Sequence, residues 1–173
     1  SNSTDGTNFT PVKNNGVINV TNRQDSTSAT VAKAWQGAIP NPKENENDPD
    51  IYPSLTSPKN VSIVVALYRK TANGNEEKVP VGEGDGNITL PTADGAWRYK
   101  VENLPTHDAK GDAYSYYFKE ISVTGADGFT PIYDNNSTEN TVATPDAETG
   151  VATIINRAQT TSVKVTKNWT DEN

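Results

Sequence analysis

Val61-Ser62-Ile63-Val64-Val65-Ala66-Leu67-Tyr68 decides the fold class. Its odd positions are all aliphatic, and residues two apart in a strand share a face, so the stretch reads as a β-strand burying Val61, Ile63, Val65 and Leu67. The even positions are expected to face outward or pack lightly. Working outward, Thr71-Ala72-Asn73-Gly74-Asn75 supplies an Asn-Gly hairpin turn, with short strands expected near 78–81 and 87–90. Ala93-Asp94-Gly95 turns into Trp97-Arg98-Tyr99-Lys100-Val101, with Trp97, Tyr99 and Val101 inward and Leu104-Pro105 ending the run. Beyond a polar loop at 107–112, residues 113–123 place Tyr114, Tyr116, Phe118 and Glu120 on one face and Tyr117, Lys119 and Ile121 on the other. Helical periodicity is absent. The pattern predicts an all-β antiparallel sandwich or barrel with minimal helix. Residues 37–60, with Pro40, Pro42, Pro49, Pro53 and Pro58, and residues 134–149 are expected to be long surface loops.

The two ends of the chain repeat each other. Gly16-Val17-Ile18-Asn19-Val20-Thr21-Asn22-Arg23 followed by Lys33-Ala34-Trp35 returns as Gly150-Val151-Ala152-Thr153-Ile154-Ile155-Asn156-Arg157 followed by Lys167-Asn168-Trp169. Asn22 and Asn156, like Lys33 and Lys167, stand 134 residues apart. Upstream, Phe9-Thr10-Pro11-Val12 echoes Phe129-Thr130-Pro131-Ile132. A shared period marks a slice of a tandem array. Residues 1–28 read as the tail strand of a preceding repeat plus linker, 29–157 as a complete module, 158–161 as a linker, and 162–173 as the first strand of a following repeat. A linker this short makes successive modules semi-rigid beads.

Net charge −7 and pI near 4.7 argue against nucleic-acid binding, which needs clustered Lys and Arg to displace phosphate counterions. The absence of Cys and Met removes disulfides, thiol catalysis and thiolate metal sites. No apolar run is long enough to span a membrane. No export signal or anchor is visible, as expected of a piece of a longer protein.

Three polar residues fall where apolar ones are expected. Val31, Lys33 and Trp35 share one face of the opening strand; Ala152, Ile154 and Asn156 share one face of the closing strand; Glu120 sits on the aromatic face of 113–123. Each would cost several kcal/mol if buried alone, so the three demand a shared explanation. Desolvation among aromatics, with Trp35, Trp97, Tyr116 and Phe118 as the candidate pocket, favours a neutral lysine amine and a neutral glutamic acid. The amine is then a nucleophile. The acid can hydrogen-bond the asparagine carboxamide oxygen and shuttle protons while ammonia leaves, giving a Lys33–Asn156 isopeptide bond with Glu120 as the catalytic group. Fixed contact supplies the entropic advantage, and each module reacts once.

These residues resemble the B-type repeat domains of Gram-positive collagen adhesins and pilins, the CnaB-like domains. The elements are Val31-Ala32-Lys33-Ala34-Trp35, the Val-rich strand ending Leu67-Tyr68, the Trp97 strand with Asn103-Leu104-Pro105, Tyr116-Tyr117-Phe118-Lys119-Glu120, and Ile155-Asn156-Arg157. The resemblance covers about 29–157 and implies an inverse immunoglobulin-like sandwich with first and last strands adjacent. It also implies Lys33 joined to Asn156 under catalysis by Glu120, and an extracellular, cell-wall-attached stalk whose partners are adjacent repeats of the same protein. Asn22 and Lys167 would be the crosslink positions of neighbouring repeats, their glutamates lying outside this stretch. The loops at 37–60 and 134–149 are longer than the family's.

Blander readings exist for each residue: Lys33 snorkelling to a sheet edge, Glu120 in an ordinary salt bridge with it, Asn156 capping a turn. An alternative function is a ligand-binding adhesin module using the loops 37–60 and 134–149 against a host matrix protein or glycan, with Tyr52 and Leu55 as contacts. No cofactor or metal is expected. Glu44, Glu46, Asp48 and Asp50, and Glu83 with Asp85, are oxygen ligands in principle but match no calcium loop and read as solvated turns. His107 is a loop histidine without an assigned role, and the Asn-X-Ser/Thr triplets at Asn60, Asn87 and Asn136 are chance matches in so Asn- and Thr-rich a chain. No Ser-His-Asp set or phosphate loop supports a conventional enzyme.

Overall fold

The computed structural model describes residues 8–14, 17–23, 25–82, 84–133 and 141–161, the first two stretches by backbone pairing alone. Ten strands and no helix make up the described residues. β1 (Asn8–Asn14) and β2 (Val17–Arg23) pair as an antiparallel two-stranded ladder. The others are β3 (Ser26–Gln36), β4 (Ser62–Lys70), β5 (Glu77–Lys78), β6 (Asn87–Leu90), β7 (Arg98–Pro105), β8 (Ser115–Thr124), β9 (Phe129–Ile132) and β10 (Val151–Ala158). One sheet has the order β7-β3-β10-β9; in the second, β4 is central and pairs directly with β8, β6 and β5, β6 meeting it at Ile63–Ala66 and β5 at Tyr68 and Arg69.

The core lies between the sheets because the two-residue period aims one row of each strand inward. Val61, Ile63, Val65 and Leu67 are buried, as their spacing requires, and meet Val31 and Ile154 from the facing sheet. Ala66, on the opposite face, is buried as well. The sandwich is antiparallel with one exception: β3 and β10, its opening and closing strands, are adjacent and parallel, Lys33 facing Ile154 and Trp35 facing Asn156. A parallel pair needs a long crossover, and here everything from β4 to β9 serves as one. The strands therefore run the same way, so the chain enters at one pole of the sandwich and leaves at the other.

Local departures from the sequence reading have identifiable causes. The strand expected at 78–81 is confined to Glu77–Lys78 plus the Val79 N–H bond to the Leu67 carbonyl, since Pro80 has no N–H to continue the ladder. The turn before it closes with Gly74 N–H on the Thr71 carbonyl at 3.2 Å, and neither Asn73 nor Gly74 takes a positive φ, so it is not the mirror-image hairpin turn that Asn-Gly favours. In β8 the register slips: Val64 faces Ser122 and Val65 faces Glu120. Ile121 is thereby extruded as a bulge and left exposed, and Val123 rather than Ser122 packs on the core.

Of the segment 134–149, residues 134–140 lie outside the described residues. The remainder is less loop-like than expected, because Ala143 is buried and exchanges both backbone hydrogen bonds with Phe118 at 2.8 Å. Residues 37–60 contain no strand, yet Gly37 N–H to Pro53, Asn41 N–H to Ile51 and Leu55 N–H to Trp35 tie them into a two-armed extension of β3.

Candidate functional site

β3 and β10 carry Lys33 and Asn156 inward from one sheet, and β8 brings Glu120 down from the other. The Lys33 side chain is fully shielded, that of Glu120 is 5% exposed, and Asn156 is 1% exposed. Lys33 Nζ lies 3.7 Å from Glu120 Oε2, an ion-pair distance beyond hydrogen-bond length. Its hydrogen bonds go instead to backbone, to the Ile154 carbonyl at 3.1 Å and the Ala34 carbonyl at 3.3 Å. Ile154 faces Lys33 in the parallel ladder, and Asn156 is the next inward residue of the same strand. The Asn156 carboxamide, like the Lys33 ammonium, favours the charged form of Glu120, so Glu120 is in electrostatic contact with both the amine and the amide.

Trp35 closes the site, its ring 4.9 Å from Lys33 Nζ. Trp97 and Phe129 meet Trp35 edge-on at 5.7 and 5.1 Å, so three aromatic rings separate the amine from solvent. Phe118, fully buried, precedes Glu120 by two residues on the same face. Tyr116, expected in this pocket, is not brought to it. It stands four positions from Glu120 along β8, roughly 13 Å at the strand rise, and its hydroxyl donates to the Pro105 carbonyl at 2.6 Å instead. The Lys167 position and the Asn22 side chain lie outside the described residues. Tyr133, buried and in electrostatic contact with Glu120, and Phe129 were missed. The echo of Phe9 in Phe129 was the signal available for the latter.

Burial dominates the electrostatics. Desolvation pulls the Lys33 ammonium from 10.5 down to about 7, against the opposing pull of the Glu120 charge. The same desolvation pushes the Glu120 carboxyl up, opposed by Lys33 and by the Asn156 carboxamide. Both shifts favour moving the proton from ammonium to carboxylate, which replaces two buried charges with none. Two buried oxygens, Glu120 Oε2 and Asn156 Oδ1, lack hydrogen-bond partners. A proton on Glu120 would give it an O–H donor and offer the Asn156 oxygen an acceptor's partner, so the neutral state also relieves an unsatisfied pair.

Three of the acidic loop residues are engaged elsewhere, and Glu83 lies outside the described residues. Asp48 accepts from Asn45 within its turn, Asp50 pairs with Lys43 at 2.9 Å, and Asp85 accepts from the Asn87 N–H. Among the described residues no cluster of three or more His, Cys, Asp or Glu is placed to hold a metal. Tyr52 lies beneath the Arg157 guanidinium at 3.4 Å, Leu55 remains partly exposed, and His107 contacts the Thr106 hydroxyl.

Fold and site together define an immunoglobulin-like β-sandwich whose opening and closing strands are neighbours with an amine, an acid and an amide buried across the sheet interface. The chain belongs to the Cna protein B-type domain family, whose profile matches residues 29–146 and so ends just before β10. Among solved structures it is similar to the pilus adhesin SpaC from Lactobacillus rhamnosus GG in its open conformation, at 17% identity and TM-score 0.42, and to a second form of that adhesin at 17% and 0.43. Each likeness covers 84% of this chain but only 14% and 15% of the adhesin chains, so the chain spans about a seventh of their length. None of the curated proteins matches.

Proposed function

We propose that residues 29–157 are one structural stalk module of a Gram-positive surface adhesin or pilus-like fibre, tied internally by a self-formed Lys33–Asn156 bond. The observation that supports it is the shielded Lys33–Glu120–Asn156 set with its two unpartnered oxygens. In the reaction, the neutral Lys33 amine attacks the Asn156 side-chain carbonyl carbon while the Glu120 O–H donates to its oxygen. Glu120 takes up the proton released from the amine nitrogen and delivers it to the departing nitrogen. The C–N bond to the amide nitrogen breaks, one ammonia leaves, and Glu120 is regenerated. The reaction consumes its own side chains and has a single turnover, so the module is not an enzyme toward other molecules.

Parallel pairing gives the bond its mechanical sense. Tension applied at the two poles loads β3 and β10 in shear, and a bond between Lys33 and Asn156 passes the force directly from one to the other. The residues between are bypassed. Pulling single molecules by their ends tests this: rupture of an unbonded module releases about 120 residues at ~3.5 Å each, roughly 400 Å, whereas the bonded module lacks that step. A wild-type step of that length would end the stalk reading.

The preceding-repeat and following-repeat assignments fit the same reading. β1–β2 resembles β9–β10 in antiparallel pairing, although Asn22 faces Phe9 where Asn156 faces Pro131, a two-residue offset in register. Attachment to the cell wall and display outside the cell follow from the stalk role in this proposal.

A further inference from the structure

β3 and β10 run parallel, so the root of the 37–60 extension and the exit of the chain lie at one pole. Arg157 binds the two together: its guanidinium donates to Gln36 Oε1 at 2.9 Å and stacks on Tyr52 of the extension at 3.4 Å. The exit is also pinned, since Gln159 N–H donates to the Gly128 carbonyl at 2.7 Å and Gln159 Nε2 to Thr130 Oγ1 at 2.6 Å. Only Thr160 and Thr161 then remain before the segment assigned to the next repeat, a reach of about 7 Å. Beside that exit is a shallow cleft of about 380 Å³ lined by Ala38, Thr130, Ile132, Arg157, Ala158 and Gln159. The extension holds three of the four large hydrophobic side chains left most exposed among the described residues: Ile39 at 71%, Ile51 at 64% and Leu55 at 42%. Ile39 and Ile51 sit on its facing arms, which the Gly37–Pro53 and Asn41–Ile51 backbone bonds hold together.

We propose that this pole is the seat of the following repeat, an inference that rests on the tandem-array reading above. The occupant is a second copy of this fold presenting the end where its own first strand begins. The short pinned exit, tied to the extension through Arg157 and Tyr52, holds that copy close to the extension, and its arrival would cover Ile39 and Ile51. Modules of one chain ordinarily move relative to each other unless the interface is apolar and sizeable. The 37–60 extension supplies that interface, so the array is a stiff rod.

The test continues the chain after Thr161 with a second copy of residues 28–161 and measures the rotational correlation time of each module by NMR relaxation. The same is done with Ile39→Ser/Ile51→Ser in the first copy. The original should tumble as one body, and the variant should show a correlation time per module shortened by roughly half. Independent tumbling of the original, an unchanged variant, or concentration-dependent association through this face would overturn the seat. Intact mass of the same samples reports the bond separately. Two ammonias lost with independent tumbling overturns the seat alone, and no ammonia lost with tumbling as one body overturns the bond while keeping the seat.

Discussion

Glu120→Gln removes the acid while keeping side-chain volume, so the chain should fold and remain unbonded. The size of the effect follows from the loop the bond closes, about 120 residues, for which the chain-entropy relation used for disulfides gives roughly 5 kcal/mol of lost stability. At an unfolding entropy of ~2.1 cal/mol/K per residue over a module of ~130 residues, that is a fall in melting temperature of roughly 15–20 °C. The variant also leaves the buried Lys33 amine without its carboxylate, which adds to the loss in the same direction. Asn156→Ala provides the control that keeps the Lys33–Glu120 pair; it loses the bond together with the buried carboxamide but leaves no unpaired buried amine. Differential scanning calorimetry at one protein concentration is the assay. A wild type melting within about 3 °C of both variants would refute the reasoning, because a covalent tie across a loop of this length cannot leave the unfolded state unaffected.

Two further outcomes follow from the site. In the unbonded Asn156→Ala chain the folded state holds fewer protons on Lys33 than the unfolded state between about pH 7 and 10.5, so stability should rise with pH across that window. The raised Glu120 carboxyl acts oppositely, lowering stability as pH climbs from its ordinary range through its raised value. From pH 7 to 9 the melting temperature should therefore rise more, or fall less, in Asn156→Ala than in Asn156→Ala/Lys33→Ala, the difference being the Lys33 contribution. Trp35→Ala opens the cover over the amine and leaves Trp97 and Phe129 without their shared partner. It should cost about 3–5 kcal/mol as a buried large-to-small change, and it should slow bond formation during refolding, followed by mass against time.

The sequence was most informative where the two-residue period is unbroken. The rows Val61 to Leu67, Val31-Lys33-Trp35 and Ala152-Ile154-Asn156 point inward as their spacing requires, which is why three polar residues on inward faces could be recognised before any coordinates. Glu120 keeps its inward place because the bulge falls one residue later, at Ile121, and nothing in the local composition announces that slip. Tyr116 shares its face with Glu120, but a common face says nothing about distance along a strand. The adjacency of β3 and β10 was implied by the family resemblance, but their parallel direction was not, and it could not be read from periodicity, which is identical in parallel and antiparallel ladders. Ala143 and Tyr133 were hidden for a different reason: isolated residues in turn-rich surroundings carry no pattern, and their burial comes from strands distant in sequence.

The central claim is the covalent tie, and intact mass tests it most directly. High-resolution mass spectrometry of the purified chain beside Lys33→Ala and Glu120→Ala should find the wild type lighter than its sequence by one ammonia and both variants at full mass. A wild type at full mass would contradict the account and leave Lys33, Glu120 and Asn156 as a buried polar cluster.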